Sequence, residues 1–147
     1  MVNNLNPRLV VAGACQLRQQ TGSSTRIKID NGPIYDLSIV QQLVTQHGIS
    51  VMNDKAEDDM EREFDPELTP DELIKIIRSL RNDPNYLESE RCTVRNNMTV
   101  DSDEYRIHWN RNRKSACNRT GLPVLLKFGF RESNPKCIIV SIHPARY

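Results

Sequence analysis

The spacing of apolar residues changes twice along this chain, and each change predicts a different kind of element. Over roughly the first 30 residues Asn, Gln, Ser and Thr dominate and no period holds, so residues 1–35 read as a loosely structured arm. Within it, Arg26-Ile27-Lys28-Ile29-Asp30 alternates with period two, as a short strand does, until Asn31-Gly32-Pro33 stops it. From Asp36 the period becomes helical. Ile39, Val40, Leu43, Val44 and His47 share one face, Asp36 is suited to cap the first turn, and Gly48 ends the run. Residues 53–65, NDKAEDDMEREFD, contain good helix formers with Met60 and Phe64 one turn apart, which suits a solvated helix or an ordered acidic loop. Thr69-Pro70-Asp71-Glu72 is a sharper start signal: a capping hydroxyl, a proline at the first helical position and a glutamate placed to reach back as a capping box. Leu73, Ile76, Ile77 and Leu80 follow at i, i+3, i+4 and i+7, and this helix should stop near Asn82-Asp83-Pro84.

Beyond Glu90 the texture is that of strands. Arg91 to Val100, Tyr105 to Asn110, Leu122 to Phe130 and Lys136 to His143 are rich in branched and aromatic residues, and clusters of Asp/Ser, Asn/Arg/Gly and Ser/Asn/Pro separate them. The last two fit a hairpin. Helices first and strands afterwards predict an α+β domain over residues 36–147, with two or three short helices packed on one face of an antiparallel sheet of about four strands. In period-two counting, Tyr105, Ile107 and Trp109 fall on one face of their strand, and Arg106, His108 and Asn110 on the other, polar face. Along the last strand Ile139, Ser141 and His143 alternate with Ile138, Val140 and Ile142.

Composition narrows the class. A chain of 147 residues has the usual size of one domain. No apolar run approaches the roughly 20 residues that a membrane span needs. The start of the chain has too short an apolar stretch for a secretory signal, so a cytoplasmic location is expected. Cys15, Cys92, Cys117 and Cys137 are scattered without a C-x-x-C, which points to isolated thiols rather than disulfides or a zinc site.

Charge changes the picture most. Residues 52–90 hold five Lys/Arg against thirteen Asp/Glu, whereas residues 105–147 hold nine Lys/Arg against the single acid Glu132. A basic surface for a polyanion, set beside an acidic face, is the physical expectation. The connection NRNRKSACNRTG carries Arg111, Arg113, Lys114 and Arg119 without an acid, and Arg131 and Arg146 extend the basic set. Guanidinium groups on an adaptable loop suit the phosphates of single-stranded nucleic acid, although such a loop is equally consistent with plain solubility. His108 and His143 are the candidate proton carriers, and His47 is assigned to the first helix as a structural residue. No Gly-rich phosphate loop or G-x-S-x-G elbow is present, and the basic half has no spaced carboxylate pair for a divalent metal, so no cofactor and no metal are expected. A ribonuclease needs none, because the RNA 2′-hydroxyl is its own nucleophile.

The hairpin LLKFGF into CIIVSIH, preceded by Asp103-Glu104-Tyr105-Arg106, resembles the MqsR branch of the RelE-like toxins. The resemblance implies a messenger-RNA interferase of a type II toxin–antitoxin system, with a cognate antitoxin or immunity protein as partner. It places Tyr105, Arg106, Lys127 and His143 in the active site. On this reading His143 or His108 takes the 2′-hydroxyl proton, Tyr105 or the other histidine protonates the leaving oxygen, and Arg106, Arg113 and Lys127 hold the phosphate. The alternative is a non-enzymatic module that binds RNA or a protein, in which only the charge would matter.

Overall fold

The computed structural model describes residues 16–17, 26–131 and 134–145. In chain order these form strands β1 (Gln16–Leu17) and β2 (Arg26–Asp30), helix α1 (Leu37–His47), strand β3 (Ile49–Val51), and helices α2 (Asp54–Arg62) and α3 (Pro70–Ser79). After a single turn at Asn82–Asn85 come β4 (Tyr86–Thr93), β5 (Thr99–Asn110), β6 (Ser115–Ala116), β7 (Leu122–Gly129) and β8 (Cys137–Pro144).

The helices begin where the caps predict. Asp36 accepts from the Ser38 amide, Asn53 from the Lys55 amide, and Thr69 from the Glu72 amide. Helix α1 ends at Gly48, whose φ of 76° belongs to the region that favours glycine. Buried faces follow the helical period: Leu37, Val40, Leu43 and Val44 on α1, and Glu72, Leu73, Ile76 and Ile77 on α3. His47 is exposed. The acidic segment 53–65 resolves as a helix, because Ala56 and Met60 give α2 an apolar side, and Phe64 just beyond it is also buried.

The α+β class holds, but the sheet is larger than four strands and mixed. Its order is β1-β2-β4-β5-β7-β8-β3, with β6 paired to β5, and the pairing of β3 with β8 is parallel. Arg26–Asp30 pairs with β4 inside the sheet, and Ile34 and Tyr35 are core residues, so this part of the segment read as a loose arm belongs to the domain. The strand expected over 91–100 is instead the end of β4, a turn at Arg95–Asn97, and the start of β5. Asn96 and Asn97, with φ of 62° and 56°, supply that turn. The Asp-Ser-Asp-Glu run read as a break lies inside β5.

Helices α1 and α3 cover one face of the sheet, and the main core lies there with Tyr105, Ile107, Trp109, Leu126, Phe128 and Ile142. The other face carries a smaller apolar cluster of Cys92, Val94, Val100, Ile138 and Val140. Beside it on that face lies a polar field. Cys92 and Cys137 are buried free thiols and Cys117 is half-buried; Cys15 lies outside the described residues.

Candidate functional site

Cross-strand register builds the polar field, because directly opposed residues point to the same face. Glu88 of β4 faces Glu104 of β5, Glu104 faces Lys127 of β7, and Lys127 faces Ser141 of β8. One step along, Arg106 faces Leu125, and Leu125 faces His143. On the far side, Lys28 of β2 faces Glu90, which faces Ser102. Helix α2 closes one end of this face, since Arg95 of the β4–β5 turn pairs with Asp54 and Glu57 at the start of α2 and Asn53 donates to the Val140 carbonyl. The result is a cleft of ≈ 190 Å³ lined by Arg26, Lys55, Asp59, Glu104, Lys127, Ser141 and His143, among others.

Electrostatics divide the field in two. Glu88, Glu90 and Glu104 bring carboxylate oxygens within 4.8 Å of one another. Two ammonium groups already compensate this charge: Lys28 bonds Glu88 and lies 3.5 Å from Glu90, and the buried Lys127 donates to Glu90 at 2.8 Å. Burial works against the Glu90 carboxylate, yet the lysines overcome it and hold its pKa below the ordinary value. Glu104 behaves in the opposite way. Burial, with the negative charges of Glu88 and Glu90 beside it, pushes its carboxyl above the ordinary value, against the pull of Lys127. A carboxyl tuned upwards in a cleft is suited to carry a proton. The Nδ1 of His143 lies 3.0 Å from the Pro144 carbonyl. A carbonyl can only accept, so Nδ1 is the donor in this contact and Nε2 is the ring nitrogen left for an outside partner.

The remaining expected site residues scatter. Tyr105 has no exposed surface, stacks on Phe128, and donates to Asn82 on the face opposite the cleft. Burial, reinforced by Asp103, raises the pKa of its hydroxyl, so it is neither placed nor poised to protonate a leaving group in the cleft. Arg106 is exposed and His108 half-exposed, both on the cleft's face but beyond its end. Arg111 is a structural residue: it bonds Glu72 through Nε and Nη2 at 3.1 and 2.9 Å and also holds the Pro66 and Glu67 carbonyls. Lys114 lies 3.2 Å from the same glutamate. Arg113, Arg119 and Arg131 are exposed, and Arg146 lies outside the described residues. The acid that sequence reasoning missed is Glu104, which shares its strand parity with Arg106 and His108.

Glu72 does not reach back as a capping box. Its carboxylate, 4% exposed, instead receives Trp109, Arg111 and Lys114 and so locks α3 to the basic loop. Burial alone would raise its pKa, but these donors outweigh burial and hold it at about 2, against an ordinary value of 4.5. A carboxylate depressed in this way stabilises the fold above its unfolded-state pKa and loses that contribution as pH falls through its folded value. Wild-type melting temperature should therefore drop between about pH 4.5 and about pH 2 by more than that of Glu72→Gln. Parallel acid titrations would contradict the lock.

The loop cations consequently do different jobs. If the domain binds RNA as its charge leads one to expect, neutralising Arg113 and Arg119 together should flatten the salt dependence of that binding by about 1.4 in log–log slope, two single-strand phosphate contacts, at unchanged melting temperature. Arg111→Ala should instead lower the melting temperature, because it leaves Glu72 buried with fewer partners. The reverse assignment in paired melting and salt-titration experiments would overturn this division.

No protein-family model, no curated protein and no solved structure matches this chain. Among the described residues, no helix is long and apolar enough to cross a membrane.

Proposed function

We propose that the polar face is the active site of a metal-independent endoribonuclease that cleaves single-stranded RNA through its own 2′-hydroxyl. One observation carries the reading: an upward-tuned carboxyl, Glu104, and a histidine with an available Nε2, His143, line one cleft together with Lys127 and Arg26. Nε2 of His143 removes the 2′-hydroxyl proton, and the 2′-oxygen attacks the adjacent phosphorus. The P–O5′ bond breaks, and Glu104 gives its proton to the leaving oxygen. Arg106 and Lys127 offset the charge that grows on the phosphorane. Glu104 thus takes the role expected of Tyr105. The partner implied by such a toxin is an antitoxin or immunity protein that covers the cleft.

A non-enzymatic RNA- or protein-binding module is the second reading. It is favoured by the ion pairing of the buried Lys127 with Glu90, which takes up cationic charge inside the fold. Inducible expression in bacteria separates the two: growth arrest with fragmented RNA is expected from the enzyme, benign accumulation from the module. Purified protein should cleave RNA fully in EDTA and leave 2′,3′-cyclic phosphate ends. Activity lost in EDTA and restored by Mg²⁺ would move the chemistry to a metal held by Glu88, Glu90 and Glu104.

A further inference from the structure

Next to the cleft, the same sheet face changes character. Leu125 of β7 is only partly buried and belongs to neither apolar cluster, and Pro123, two residues earlier on the same face, is partly buried as well. Register sets polar groups around both. Arg106 and His143 face Leu125 from its two sides, and His108 faces Pro123. Three adjacent strands span roughly 10 Å, and successive same-face residues of one strand lie roughly 7 Å apart. An aliphatic floor of that size accepts one flat ring, with a guanidinium and an imidazole at its edges. What remains accessible of these two side chains gives a ligand ring an apolar surface to lie on.

We infer that Leu125 and Pro123 form a nucleobase subsite. The base lies on the aliphatic floor, and its 3′-phosphate reaches Arg106 and His143 at the mouth of the cleft. This deepens the proposed ribonuclease reading and rests on it for the substrate, RNA. The chemistry argues for a nucleotide over a peptide or a purely apolar ligand. The floor is wide enough for one ring, the rim offers an arginine and two histidines, and no carboxylate of the described residues faces Leu125 or Pro123 in the register. Arginine is suited to both jobs, since its plane stacks on rings and its fork grips phosphate.

The test is direct binding, followed by NMR on the full chain with labelled Leu methyls and His rings. Uridine and guanosine 3′-monophosphate should shift the Leu125 methyls and the His143 and His108 rings with one common Kd. Inorganic phosphate should move the histidines and leave the Leu125 methyls still. Leu125→Asp should weaken nucleotide binding by about tenfold or more, and Leu125→Ala by less, because part of a leucine's apolar contact is lost and, in the first case, a charge repels the phosphate. Silence of the Leu125 methyls, with shifts confined to the cleft or with RNA still cleaved, overturns the subsite and leaves the nuclease standing. Shifts at Leu125 from a protein that never cleaves RNA uphold the subsite and overturn the nuclease.

Discussion

Asp103→Ala should destabilise the domain by roughly 3–5 kcal/mol, a large share of what a chain of this size possesses. Asp103 is fully buried in β5, yet it is not a misplaced loop residue. Its carboxylate accepts from the Ile34 amide at 2.9 Å, the Tyr35 amide at 3.0 Å and the Ser89 hydroxyl at 2.6 Å. The first two bonds fasten the connection from β2 to α1 onto the centre of the sheet, and Tyr35 adds a further tie by donating to the Asp101 carbonyl. Alanine leaves the Ile34 and Tyr35 amides buried without acceptors, while Ser89 keeps the Tyr86 hydroxyl as a partner, and each orphaned amide costs about 1–3 kcal/mol. Urea unfolding of the wild type and the variant, compared at equal m-value, measures the loss. A change under about 1 kcal/mol would show that water enters and replaces the carboxylate.

The second large effect follows from the proposed ribonuclease chemistry. His143→Ala and Glu104→Gln should each lower RNA cleavage by about 10²-fold to 10⁴-fold, the usual contribution of a general base or acid. Their stability effects should differ. His143 is half-exposed at the end of β8, so its loss should change stability by about 1 kcal/mol or less. Glu104 ionises at a cost, because burial and the charges of Glu88 and Glu90 oppose it. Glutamine keeps the shape and removes that cost, so Glu104→Gln should be as stable as the wild type or more so while losing activity, the trade-off expected of a functional group held under strain. Loss of stability without loss of cleavage would make Glu104 a structural residue.

Local chemistry made the helices legible. Asp36, Thr69-Pro70 and Gly48 act through neighbours within one turn, and the buried faces of α1 and α3 follow from their spacing. The sheet was legible only where residues repeat with period two. Asp101-Ser102-Asp103 reads as a breaker because such residues ordinarily favour turns. It stands in a central strand because Arg91 pairs with Asp101, and Ile34, Tyr35 and Ser89 supply donors to Asp103 from far away in sequence. The parallel strand β3 is three residues long, too short for any period to show. The capping-box reading of Glu72 failed for a similar reason, since Trp109 and Arg111 arrive from β5 and the loop after it.

At the site, parity was the informative signal. Counting by two along β5 separates Tyr105 from Arg106 and His108, and extending the same count backwards brings in Glu104. The resemblance to RelE-like toxins drew Tyr105 into the site, and burial removes it. Nothing in the sequence reveals that Arg111 and Lys114 are bound by Glu72, because a basic loop looks the same whether its charges face solvent or a buried acid.

Cleavage and equilibrium binding of one single-stranded RNA, measured side by side in EDTA for the wild type, His143→Ala and Glu104→Gln, separate a ribonuclease that uses these two residues from a binding module. A ribonuclease of this kind should cleave RNA as the wild type and at rates lower by about 10²-fold or more in both variants, with nearly unchanged affinity for all three, since phosphate contacts set affinity. Equal cleavage by all three proteins would contradict the assigned chemistry, and RNA bound alike by all three but cut by none would make the chain a binding module.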